Sequence, residues 1–267
     1  MIGYTKNNGK ETGITKVLGT GLALLVPICV LIIWESIVKA GYIKPSLLPP
    51  PTKLWQTITR LISTGKLQEG LLISFKRVAA GFLIGSIAGA FLGFLMGLFG
   101  MVNKALSVFV NILRPIPTIA LIPIFIIVFG IGEKSNIAVI VVGAFWPMLL
   151  NTINGIQSVD PKLLELAYVY RVKSIKTVFG IILPSAVTSM FTGMRLGLGT
   201  AWMSVVAAEM IGASSGIGYM IMFARELAQT ANMYVEVLVI GIVGFLIDRI
   251  LLLLSNHFDR KFKGIAG

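Results

Sequence analysis

Apolar runs near 20 residues long recur along this chain from Val17 to Leu254, separated by prolines or by charge. A helix rising about 1.5 Å per residue crosses the roughly 30 Å hydrocarbon core of a bilayer in such a run. Backbone N–H and C=O groups in lipid must be satisfied within the segment, which leaves helices or closed barrels. The runs are rich in glycine and do not alternate apolar with polar residues, so helices are the reading. The 267 residues are 56% hydrophobic and only 13% charged, with a mean hydropathy of +0.90. A soluble core of this size has no need of so little charge. The expected fold is an all-α integral membrane protein with about six transmembrane helices, one domain over 1–267.

Residues 1–16 read as a polar tail and 17–38 as the first span. The span is too long for a signal peptide and no small-x-small cleavage site follows it. The single cysteine, Cys29, lies in it, has no partner for an internal disulfide, and reads as a small packing residue. The linker 39–77 holds Pro45 and Pro49-Pro50-Pro51, which a helix cannot cross. An amphipathic helix on the membrane surface follows, with Leu54, Trp55, Ile58, Leu61 and Ile62 opposite Lys53, Gln56, Thr57, Thr59 and Arg60, and Thr52 as its cap.

A five-span core is expected over 78–254. Its first member, Val78 to Leu98, carries Gly81, Gly85, Gly89, Gly93 and Gly97, four apart. They form a ridge on one helix face that admits another backbone closely. Residues 101–117 read as a short connection, and Leu121 to Phe129 as the start of a third span that Pro123 breaks or kinks. Gly130 to Asn136 reads as a tight loop. The fourth span is Ile137 to Ile153, the fifth Ala186 to Ala208 and the sixth Tyr234 to Leu254, with a loop at 209–232 and a basic tail at 255–267.

Between the fourth and fifth spans lies a charged island, Ser158 to Pro184, holding Asp160, Lys162, Glu165, Arg171, Lys173 and Lys176. A bilayer core excludes that cluster. Leu163, Leu166, Ala167 and Tyr170 share one helical face, and Ile175, Val178, Phe179 and Ile182 another. Asp160-Pro161 is a helix start, an N-cap before proline at the first position. Two short amphipathic helices here fit either a dock for a soluble partner or helices lying on headgroups. With an even number of spans, both termini share the island's side. That side then holds thirteen Lys and Arg and the other nine, seven of them in the 39–77 linker, where several can snorkel to headgroups.

The net charge of +12 comes without aromatic–basic interleaving, so anionic lipid explains it and nucleic acid does not. His257 is the one histidine and reads as a solvated tail residue. No His or Cys pair, phosphate loop or Ser-His-Asp set is present, so neither an enzyme nor a metal or cofactor is expected. Active transport would take its energy from a separate subunit or an ion gradient.

Charge inside the spans is the remaining signal. Arg195 follows Pro184 by 11 residues, about 16 Å along a helix, near mid-membrane. It reads either as a gate or anion-attracting residue or as a link tying broken helices together. Gly193, Gly197 and Gly199 with Trp202 and Met203 suit a pore or dimer seam, or ordinary packing. Glu209 opens the stretch EMIGASSGIGYMI, read as an outer gate or docking surface, and Asp248-Arg249 reads as an interfacial pair.

The island resembles the EAA loop of ABC-importer membrane subunits. Glu165-Leu166-Ala167 stands for Glu-Ala-Ala, Arg171 for the family's glycine, and Ile181-x-Leu183-Pro184 closes the loop at the expected spacing. Leu166 and Arg171 depart from the pattern. A non-glycine residue in the left-handed turn between two coupling helices costs about 1–2 kcal/mol. LLPPPTKLW, SFKRVAAGF, LRPIPTIALIP, FGIGEKSNI, FWPMLLNTINGIQSVDP and GTAWMSVVAAEMIGASSGIGYMI resemble the nitrate/sulfonate/taurine branch of these permeases over most of 45–235.

The resemblance implies a homodimeric pair in a bacterial cytoplasmic membrane, two ATP-binding cassette subunits and an extracytoplasmic solute-binding protein. It implies ATPase coupling through Asp160, Leu163, Glu165, Leu166, Ala167, Arg171, Leu183 and Pro184. It implies a pathway on the dimer axis lined by spans three to five, where the reading of the residues offers Arg195, Gly199, Trp202, Met203 and Glu209 as pathway or gate candidates. The solute would be a small anion such as a sulfonate, taurine or nitrate. The alternative is a stand-alone secondary transporter or channel, for which inverted repeats and buried acids are expected; no repeat is evident and the acids lie at span ends.

Overall fold

The computed structural model describes residues 13–263, with side chains from 25 to 255. The tail lysines Lys6 and Lys10 and the side chain of His257 lie outside the described residues. Helices α1 (Gly13–Lys39), α2 (Pro51–Ser63), α3 (Lys66–Leu98) and α4 (Gly100–Leu113) come first. A 3-10 turn (Thr118–Leu121), α5 (Ile122–Phe129), α6 (Glu133–Gln157) and α7 (Pro161–Val169) follow. The chain closes with α8 (Ser174–Thr177), a π-helical turn (Val178–Ile182), α9 (Leu183–Gly212), α10 (Ile217–Glu226) and α11 (Thr230–Lys263). No strand occurs among the described residues. Four stretches, 66–98, 133–157, 174–212 and 230–255, are long and apolar enough to cross a membrane, and α4 with 118–129 makes a fifth if that bent pair is one span.

The centre of the molecule is α3 against α6 against α9. A Cβ added at Gly81 would stand 2.6 Å from Ile140, at Gly89 2.6 Å from the Phe145 carbonyl, at Gly93 2.7 Å from the Leu149 carbonyl and at Gly97 2.8 Å from Ile156. Only a glycine face allows two backbones this near. Gly81 meets Ile140 and Gly97 meets Ile156, both 59 residues on, so α3 and α6 run parallel. α9 runs antiparallel to both: Gly193 packs on Asn151 and Pro147, and Gly197 on Ala144 and Phe82. Val78, Ile140, Ala144, Ala201, Trp202 and Val205 fill the space between, with α11 closing one side through Ile240, Val243 and Ile247.

A parallel α3–α6 pair requires the chain between them to return the length of the bundle. α4 and 118–129 make that return, bent by 89° at Arg114-Pro115-Ile116-Pro117. Two prolines two residues apart remove N–H donors just past α4; Arg114 still holds helical angles, φ −55° and ψ −45°, and the chain leaves the helix beyond it. The stretch 101–117, expected as a plain connection, is thus largely helix, and the break precedes Pro123 instead of sitting at it.

Four further expectations are corrected at the periphery. Thr52 does not cap α2; its N–H and hydroxyl donate to Glu35 of α1 at 3.2 and 2.9 Å, and the cap position is Pro50. α2 buries Leu54, Thr57 and Leu61, while Trp55 and Ile62 face outward. Cys29 is exposed, because α1 meets the remainder near its end through residues such as Trp34 and Val38. The stretch 209–232 is not one loop: α9 runs on to Gly212 and α10 follows, started by Gly216 at φ +102°.

Candidate functional site

α7 begins where the charge pattern ends the spans. The Asp160 carboxylate accepts the Lys162 N–H at 2.9 Å, and Pro161, lacking an N–H, occupies the first turn without loss. Ala167 is buried, and the remaining surface of α7 is open. Leu163, Leu166, Tyr168, Val169 and Tyr170 are exposed, the last three above 70%, and Glu165 stands among them. An apolar cluster of this kind on a polar segment marks a contact surface.

α7 ends on Arg171 at φ +50°. The Arg171 N–H donates to the Tyr168 carbonyl at 3.0 Å and the Val172 N–H to the Ala167 carbonyl at 2.9 Å, a left-handed helix end usually given to glycine. Leu183-Pro184 does not terminate the segment. It lies in the first turn of α9, and the π-helical turn before it widens the backbone where the proline ring would meet the preceding turn. The result is a continuous run from Ser174 to Gly212.

At the opposite end of α3 and α6 lies a charge cluster whose Arg77 and Glu209 are buried and whose Glu133 is exposed at its edge. Arg77 donates through Nε to Glu133 at 2.9 Å and through Nη2 to the same carboxylate. Its Nη1 donates to Glu209 at 2.8 Å and to the Ser215 carbonyl at 2.6 Å, and Nη2 to the Ser215 hydroxyl at 3.0 Å. The Ser74 hydroxyl donates to Glu209 at 2.8 Å and accepts the Ile217 N–H at 3.0 Å, while the Gly218 N–H donates to Glu209 at 2.9 Å. Arg77 is 3% exposed and Glu209 1%. The cluster therefore ties α3, α6, α9 and the start of α10 into one unit. Arg77 does not snorkel, contrary to its reading as a linker charge. Its signal was in the spacing: Arg77 stands four residues before Gly81, in line with the ridge that faces the interior.

The five residues expected along a pathway do not form one surface. Trp202 is buried, its Nε1–H donating to the Ile240 carbonyl at 3.2 Å and its ring lying 5.3 Å from Phe75. Glu209 is taken up by Arg77. Gly199 and Met203 face outward on α9 with Leu196 and Ile211. Arg195 reaches Asp248 of α11 through two hydrogen bonds, Nε and Nη2 at 2.8 and 2.9 Å. Asp248 thus pairs across helices, not with Arg249, which lies over the Phe245 ring at 5.0 Å. Adjacent residues on a helix diverge by about 100° and cannot face each other. Glu236 of α11 is 2% exposed, so with Glu209 two acids are buried, and acid position does not separate the importer reading from the secondary-transporter reading.

The profile of the family described as binding-protein-dependent transport system inner membrane component matches residues 81–264. The "Putative aliphatic sulfonates transport permease protein" of Bacillus subtilis is 40% identical over 233 residues, 87% of this chain and 84% of that one. The nitrate import permease protein of a Synechocystis species is 32% identical over 250 residues, 90% and 89% of the two chains. Among solved structures, an inward-facing conformation of a methionine ABC transporter superposes with a TM-score of 0.62 at 20% identity, over 72% of this chain and 94% of that one.

Proposed function

The chain belongs to the family of binding-protein-dependent transport system inner membrane components, within the ABC-importer permeases, and from that membership we propose that it carries a small anionic solute into the cytoplasm by alternating access, driven by a separate pair of ATP-binding cassette subunits. The single observation behind the coupling is α7, whose exposed apolar residues surround Glu165 while only Ala167 is buried. Such a helix needs a partner groove to cover it. Glu165, Leu163 and Leu166 are assigned to that contact. Asp160 and Arg171 fix the two ends of the helix, and Leu183-Pro184 leads the segment into α9, so a push on α7 reaches the transport core directly.

The parallel α3–α6 pair supports counting α4 and 118–129 as one crossing. With α1 this gives six spans, and both termini then share the cytoplasmic side with α7. Arg77, Glu133 and Glu209 fall on the outer side, where a solute-binding protein would deliver. The outward stripe of Leu196, Gly199 and Met203 on α9 suits a second copy of the chain, with the pathway between the two copies. Relatives named for sulfonates and for nitrate support an oxyanion as the solute.

The test is purification of the tagged chain from native membranes in mild detergent, with an ATPase assay on the eluate. Wild type is expected to bring down an ATP-hydrolysing subunit, and Glu165→Lys to lose it while keeping its level in the membrane. A wild-type chain that elutes without ATPase would overturn the proposal.

A further inference from the structure

A cavity of about 490 Å³ opens beside the Arg77 cluster, between α2, the start of α3, α10 and α11, with Ser215 common to both. Glu236 lines it, and the Glu236 Oε2 is buried without a hydrogen-bond partner. A buried carboxylate with no partner is costly in a low dielectric, and the cost is relieved when a cation or donor occupies the space it faces. Arg60, Lys66 and Glu69 share the cavity, and among the described residues no oppositely charged pair within it lies inside 4.0 Å. Arg60 is held instead by Asn232, donating to its Oδ1 at 2.7 Å, and Asn232 lies one turn before Glu236 on α11. Two cations and two carboxylates thus stand around one space without neutralising each other directly.

A simple anion entering would meet Glu236 and Glu69, and a simple cation would meet Arg60 and Lys66. A ligand with one charge of each sign meets neither conflict. We propose that this cavity binds a small zwitterion, its primary ammonium donating to Glu236 and its acidic group facing Arg60 and Lys66. The same chemistry is present in free amino acids and aminosulfonates and in an ethanolamine phospholipid headgroup. The site goes beyond the importer reading and stands without any ATPase partner.

The experiment is calorimetric titration of the full-length chain in nanodiscs of phosphatidylcholine and phosphatidylglycerol. The probes are 2-aminoethanesulfonate, β-alanine and 2-aminoethyl phosphate, each beside its amine-free counterpart, with ethylammonium as the bare cation. At least one zwitterion should bind about tenfold or more tightly than its amine-free counterpart and than ethylammonium. Glu236→Gln, nearly isosteric, should erase that preference. Binding of none of the three zwitterions, equal binding of a zwitterion and its counterpart, or a preference that survives in Glu236→Gln would each overturn the proposal. The wild-type comparison alone is decisive if the variant does not fold. Discs containing phosphatidylethanolamine separate the two sources: reduced zwitterion binding assigns the cavity to a headgroup, and undiminished binding assigns it to a free solute.

Discussion

Arg77 uses all five of its N–H donors inside the protein, on two carboxylates and on the carbonyl and hydroxyl of Ser215. Its value lies less in the pairing than in what its loss leaves behind. Removing one member of a buried ion pair strands the other at a cost of about 3–5 kcal/mol, while replacing both by apolar residues can be nearly neutral. Arg77→Met should therefore lower the thermal unfolding midpoint sharply by stranding Glu209. The double variant Arg77→Met/Glu209→Met should recover much of the loss, as read by intrinsic fluorescence in detergent. Additive losses in the double variant would deny that the two act as a pair. The helix end that Arg171 forms is held by two backbone hydrogen bonds, so the chain keeps a left-handed turn without glycine and carries its conformational cost.

At the scale of elements, the α3 ridge sets the spacing of the transport core. A methyl group at Gly89 would press on the Phe145 carbonyl at 2.6 Å and on the Leu149 nitrogen at 3.1 Å, and backbone atoms cannot rotate aside as a side chain can. Gly89→Ala should cost about 1–3 kcal/mol of overpacking despite the better helix propensity of alanine. Gly241→Ala on α11, where nothing lies within 4 Å, should be tolerated and serves as the matched control. Equal melting behaviour of the two variants would mean that α3 and α6 separate freely.

For the whole molecule, the contacts divide by height. One end of α3, α6 and α9 is fixed by the Arg77 cluster, their middles by glycine packing, and the α9–α11 seam by Arg195 with Asp248 and by Trp202 with Ile240. α7 hangs from the other end, its surface open. On the proposed coupling, motion at α7 would reach the bundle through α9, into which the segment leads. Arg195→Asp and Asp248→Arg should each reduce solute uptake in cells, and the combined swap should restore it. Failure of the swap beside two impaired single variants would show that Arg195 acts on something other than Asp248.

Much of this architecture was legible from the residues alone. Long apolar runs that do not alternate fix helices in a bilayer, because of the two arrangements that satisfy their backbone there, helix and closed barrel, the barrel needs alternation. The glycines four apart mark a packing face, since a period near 3.6 keeps them on one side. Asp160-Pro161 marks a helix start through local chemistry of two residues. Pairings between distant helices lay beyond the sequence. Nothing local connects Arg77 to Glu133, Glu209 and Ser215, or Arg195 to Asp248 rather than to a pathway. Those partners are chosen by the parallel register of α3 on α6 and the antiparallel register of α9 and α11. Glycine-level contact sets that register, and it exists only once the helices have met. The residues alone required an answer for Arg195, placed near mid-membrane where an unpaired charge in a low dielectric is too costly to keep; that Asp248 answers it, and that Arg77 turns from the linker into the interior, was decided by the packing of the helices.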